Sequence, residues 1–155
     1  MAKAILVKSA RKPNPVAQVG ESYWWWQFRY GGKHYSKDRP TRSQLTQSSF
    51  LSQLYSLEDE FEWGSTVDDL ENNLRDFIGE LETLQDECQE SLDNMPDSLR
   101  DSSPTGELLQ ERLNALEEWI DALGNIDFEA AEEEMDDKRF DRIKGEIEVA
   151  NPEIN

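Results

Sequence analysis

Between Ser65 and Met95 apolar residues recur at Val67, Leu70, Leu74, Phe77, Leu81, Leu84 and Cys88, then at Leu92 and Met95. The first seven are separated alternately by three and four positions, a heptad seam that only a helix turns into one continuous stripe. Ser65 and Thr66 suit its N-cap, Asp68 and Asp69 suit the positively polarised first turn, and Pro96 ends it. A helix of that length runs for about 45 Å. Between the seam positions stand ten Asp and Glu against a single basic residue, Arg75. Its apolar edge requires a partner.

The same spacing appears twice more. Phe50, Leu54, Leu57 and Phe61 repeat at heptad intervals, and Trp63-Gly64 closes that helix. Leu109, Leu113, Leu116, Ile120 and Leu123 step by four and three from a start at Pro104, and Gly124-Asn125 ends them. A fourth helix is expected from Asp127 to about Lys144, with Glu132, Glu133, Glu134, Asp136 and Asp137 crowding its polar side. The last ten residues, with Pro152, read as loose. Short links between matching stripes predict antiparallel neighbours. The 104–123 helix is too short to cover the whole long seam, so the 50–61 helix, the last helix or a second copy of the chain must cover the rest.

Ahead of the helices the period changes. Ala4–Lys8 reads as a strand, and Ser9–Gly20, with Pro13 and Pro15, as a loop. Tyr23-Trp24-Trp25-Trp26-Gln27-Phe28-Arg29-Tyr30, then Gly31-Gly32, then Lys33-His34-Tyr35-Ser36-Lys37 predicts a hairpin with a two-residue primed turn. That turn sets Tyr30 opposite Lys33, Phe28 opposite Tyr35 and Trp26 opposite Lys37. Alternation then gives one face with Trp24, Trp26, Phe28, Tyr30, Lys33, Tyr35 and Lys37, and another with Tyr23, Trp25, Gln27, Arg29, His34 and Ser36. The fold class expected is α+β: a small antiparallel hairpin or sheet packed on a helix (residues 1–64), an acidic helical hairpin or bundle with coiled-coil-like heptad packing (65–145), and a loose tail (146–155).

Charge sharpens this division. Of the net −18, residues 1–64 contribute nine Lys/Arg and six Asp/Glu, and residues 65–155 contribute seven and 28. Up to Leu45 the only acids are Glu21 and Asp38. A basic head therefore precedes an acidic body. With 36% hydrophobic and 32% charged residues, the 155-residue chain suits amphipathic helices better than a large core.

The head is the best place to seek binding chemistry, because aromatic rings on a strand stack on bases while Lys and Arg neutralise phosphates. The plainer reading makes Trp24, Trp26 and Phe28 the core of a small module. That leaves the other face, Tyr23, Trp25, Arg29 and His34, together with the cations on or beside the hairpin, Lys33, Lys37, Arg39 and Arg42, as the candidate nucleic-acid or polyanion site. In the body, Asp86, Glu87, Glu90, Glu117 and Glu118 are candidates for contact with a protein. Residues 66–95 and 104–123 side by side carry a surplus of 13 negative charges. That is about one per 3.5 Å of a rod roughly 45 Å long, against about 3.4 Å along one strand of duplex DNA. The acidic rod is therefore a candidate DNA mimic, although most charge runs are simply solvated faces.

Catalysis has little footing. His34 is the sole histidine, no phosphate-binding glycine loop or calcium loop is present, and no catalytic residue, metal site or cofactor is expected. Cys88, the lone cysteine, lies on the seam and reads as a small buried hydrophobe in a reducing compartment. Neither a signal peptide nor a membrane span is legible, so a cytoplasmic protein is expected.

The segment Ser22–Lys37, continuing through Arg39-Pro40 and Ser43–Ser48, resembles small bacteriophage-encoded proteins with no established activity. The resemblance implies a phage or prophage setting in a host cytoplasm, where short acidic proteins act against host defence or other host machinery. Three readings follow: a non-catalytic protein whose head touches nucleic acid and whose arm pairs with a host or phage protein; a DNA-mimic inhibitor of a host DNA-processing enzyme; and an assembly protein that forms homo-oligomers through its heptads.

Overall fold

The computed structural model describes all 155 residues and is α+β. Strands β1 (Ile5–Val7), β2 (Tyr23–Gln27) and β3 (Lys33–Ser36) form an antiparallel sheet in the order β1-β2-β3. Helices α1 (Ser49–Glu60), α2 (Val67–Asp93), α3 (Asp97–Arg100), α4 (Pro104–Gly124) and α5 (Asp136–Ala150) follow. The chain forms two compact units, Met1–Ser56 and Leu57–Asn155, the division falling inside α1 rather than at Gly64. No helix is long and apolar enough to cross a membrane.

In the first unit the central strand β2 pairs on both sides. Ile5, Leu6 and Val7 oppose Trp25, Trp24 and Tyr23. Trp24, Trp25, Trp26 and Gln27 oppose Ser36, Tyr35, His34 and Lys33. This register corrects the two-residue turn expected from Gly31-Gly32. The connection is the five residues Phe28–Gly32, with Gly31 at φ 141° and Gln27 Nε2 donating to the Gly31 carbonyl at 2.9 Å across its mouth. The pairing moves by three positions. An odd shift exchanges the faces of one strand relative to the other. The sheet is tied to the following segment by Ala2 N–H donating to Leu45 O at 2.7 Å and Gln47 Nε2 donating to Tyr30 O at 3.4 Å. Ser52 Oγ of α1 donates to Ser43 O at 3.1 Å, and Leu54 and Tyr55 are buried.

In the second unit the long seam behaves as its spacing demands. Thr66 caps α2 by accepting from Asp69 N–H, and Val67, Leu70, Leu74, Phe77, Leu81, Leu84, Cys88 and Leu92 are all buried. Helix α4, capped by Ser103 with Pro104 in its first turn, packs along α2. Trp119 meets Phe77 edge to face at 5.6 Å, and the Cys88 thiol donates to Leu109 O at 3.6 Å, so the two helices run antiparallel. Helix α5 packs against both, and Phe61 stacks edge-on to Phe77 at 5.2 Å. The seam is thus covered within one chain.

Two expectations about the C-terminal third are corrected. The helix begins at Asp136, not Asp127; residues 127–135 form an irregular connection with Glu133 at φ 61°. Five carboxylates crowd this stretch, and Arg142 gathers it from α5 by donating to Asp127 O, Glu129 O and the Glu134 carboxylate. The final residues are not loose either. Helix α5 runs on to Ala150 with Ile147 buried, Asn151 Nδ2 donates to Glu58 at 3.2 Å, and Ile154 is buried.

Candidate nucleic-acid interface

Strand β2 has no polar residue until Gln27, and alternation divides its aromatics between two faces. With the observed register, Tyr23, Trp25 and Gln27 share a face with Tyr35 and Lys33 of β3 and with Ile5 and Val7 of β1. Tyr23 and Tyr35 are tilted 42° with centroids 6.1 Å apart. The Lys33 ammonium lies 4.7 Å from the Trp25 ring centroid, a cation–π contact. Tyr23, Trp25 and Tyr35 are half-buried, and Ile5 and Lys33 are exposed. Lys33 stands opposite Gln27 at one end of this face, and Lys37 directly follows Ser36, the last residue of β3, at the other. Lysines therefore stand at both ends of an aromatic platform roughly 14 Å long.

The opposite face is more enclosed. Trp26 is buried, and the exposed His34 ring lies flat against it at 5.4 Å and 14°. Phe28 meets His34 edge-on at 5.5 Å. Arg39 lies 5.9 Å over Trp24 on this side.

The eight head candidates are therefore not one cluster. Tyr23, Trp25 and Lys33 come together. Lys37 stands at the edge, paired with Glu21 at 3.1 Å, and this hydrogen-bonded ammonium holds the Glu21 carboxyl below its ordinary value. His34 is moved to the Trp26 face, a correction that follows from the register. Arg29 belongs to the five-residue connection and lies over Tyr30 at 5.5 Å. Arg42 sits 4.0 Å over the buried Tyr55 of α1, serving the packing of its own unit. The same register carries Tyr35 and Lys33 to the Trp25 face, against the two-residue turn, which sets both with Trp24 and Trp26. A glycine-containing connection of up to five residues was the alternative signal.

The acidic candidates also divide. Asp86, Glu87 and Glu90 are exposed on α2, and Glu117 and Glu118 are exposed on α4. The contacts Cys88–Leu109 and Phe77–Trp119 set the levels of the two helices. Glu117 and Glu118 stand near Gly79, about 13 Å along the axis from Cys88.

No known family model, curated protein or solved structure matches this chain.

Proposed function

We propose that this chain is a non-catalytic binding protein of a phage-type cytoplasmic setting, in which the sheet takes nucleic acid and the acidic helical unit contacts a host or phage protein. The observation that carries the reading is the Tyr23–Trp25–Tyr35 platform with Lys33 on Trp25. Stacking on aromatic rings beside cations is the usual physics of single-strand binding, and a base replaces the lysine over Trp25 while the ammonium moves to a phosphate. The first unit supports this with nine Lys/Arg against Glu21 and Asp38.

The test is fluorescence anisotropy of a labelled single-stranded oligonucleotide at low salt. Trp25→Ala is expected to weaken binding by about 1–3 kcal/mol, the range for one stacked base. Lys33→Ala is expected to flatten the log K against log salt slope by about 0.7, one phosphate contact on a single strand. Absence of binding at low salt, or a Trp25→Ala protein that binds as well as its parent, overturns the reading.

A second reading is favoured by a specific observation: of the fifteen acids on α2 and α4, fourteen are exposed, and Glu71 is held by Arg75 at 3.0 Å. Such a rod supports DNA mimicry. Competition with duplex DNA for a captured host protein, lost on Asp86→Asn/Glu87→Gln/Glu90→Gln, would favour it over head binding. Assembly through the heptads has less support, because the seam is already buried in one chain.

A further inference from the structure

Beside the start of α2 lies a groove of about 360 Å³ that the acidic candidates do not include. Its floor is apolar: Leu57 and Phe61 are half-buried and Phe77 is buried. The Phe61 ring is fixed from two sides, edge-on to Phe77 at 5.2 Å and to Trp63 at 4.9 Å. Asn73 Nδ2 donates to Glu62 O at 2.8 Å, clamping the link after α1 against α2. The groove is therefore shaped before anything enters it.

Its rim is anionic. Glu60, Glu62, Asp76 and Glu80 are exposed around the floor, no Lys or Arg lines the groove, and none of the four is in an ion pair. Elsewhere on this unit cations do meet acids, as Arg142 meets Glu134 and Glu146. Here four like charges surround an apolar floor with no ion pair among them, and the neighbouring Lys144 is engaged on the Trp63 ring at 5.0 Å. Helical spacing continues the rim along the same stripe of α2, since Asp76, Glu80 and Glu87 fall within about 40° of one another over roughly 17 Å. A small cation would meet one end of that stripe. An extended chain bearing several cations meets all of it.

We infer that this groove is a docking site for a lysine- and arginine-rich polypeptide segment of a partner protein, an apolar residue of the segment seated on Leu57, Phe61 and Phe77 while its cations meet Glu60, Glu62, Asp76 and Glu80. The inference rests on the reading that the acidic unit contacts protein, and it names the chemistry of that partner. The apolar anchor supplies burial and the cations supply register and encounter rate.

The experiment titrates the full chain into a labelled peptide of alternating lysine and leucine, and into a lysine-only peptide of equal charge, by fluorescence anisotropy. The leucine-containing peptide is expected to bind more tightly. Asp76→Asn/Glu80→Gln is expected to weaken it about fivefold, the loss of two exposed charge pairs. Glu111→Gln/Asp121→Asn, which removes equal charge from α4, is expected to leave binding within about twofold. Equal weakening by both pairs, or equal affinity for both peptides, overturns the groove in favour of a diffuse anionic field. Self-association of the parent that Asp76→Asn/Glu80→Gln abolishes assigns the groove to a second copy and also overturns the proposal. Oligonucleotide binding by the same variants stays at the parent value. Its absence from the parent with peptide docking intact would remove the nucleic-acid reading alone.

Discussion

Gly106 stands in the first turn of α4, buried, where an added methyl would meet the carbonyl oxygens of Arg100 and Leu99. Both obstacles are backbone and neither can rotate away. Alanine would return about 1 kcal/mol of helix preference, yet crowding a packed site typically costs about 1–3 kcal/mol. Gly106→Ala is therefore expected to lose about 1–2 kcal/mol in urea denaturation. A variant as stable as its parent would mean that the α3 turn shifts at no cost. The role of Gly106 was not legible in the sequence, because it depends on α3, a four-residue helix between Pro96 and Pro104 too short to carry a periodicity of its own. Cys88 was legible, since its seam position alone implied burial. It is buried, and burial pushes its thiol up, with Arg112 opposing.

At the scale of elements, periodicity located what packs and failed where single side chains reach across the chain. The α2 seam, its Thr66 cap and the Pro104 start of α4 were all readable, each being set within one turn of helix. The end of α2 is set less locally: Arg100 donates to Leu92 O, Asp93 O and Met95 O from beyond Pro96. Residues 127–135 show the same failure, because Arg142 holds them out of the helix. That arrangement has a pH signature. The Arg142 hydrogen bond holds the Glu134 carboxyl below its ordinary 4.5, and the carboxylate also accepts from Ala131 N–H at 3.0 Å. A depressed folded value means the contribution is complete above 4.5 and is lost as pH falls through the lower value. Hydrogen exchange at the Ala131 amide is therefore expected to accelerate on acidification below 4.5, beyond its intrinsic rate change. In Arg142→Ala the amide should be weakly protected at every pH. Unchanged protection in that variant would mean that the connection holds itself.

For the whole molecule, sorted charge has opposite consequences in the two units. Residues 57–155 carry 32 Asp/Glu against seven Lys/Arg, and residues 1–56 carry nine Lys/Arg against two acids. In the first case like charges repel one another in the folded helices more than in an expanded chain, so screening favours the fold. In the second the surplus is proposed to serve a polyanion, and screening removes that attraction. Raising NaCl from about 20 mM to about 300 mM shortens the screening distance from beyond 20 Å to well under 10 Å, less than the length of α2. Relief of about 1 kcal/mol of repulsion raises the melting temperature of a unit this size by roughly 4–8 °C. Helical circular dichroism, dominated by α2, α4 and α5, should report that rise, while oligonucleotide affinity falls over the same range. A melting temperature that drops with salt would show that the few ion pairs, such as Arg142 with Glu134 at 2.9 Å, outweigh the repulsion, so that the acids are not the unbalanced charge on which partner binding depends.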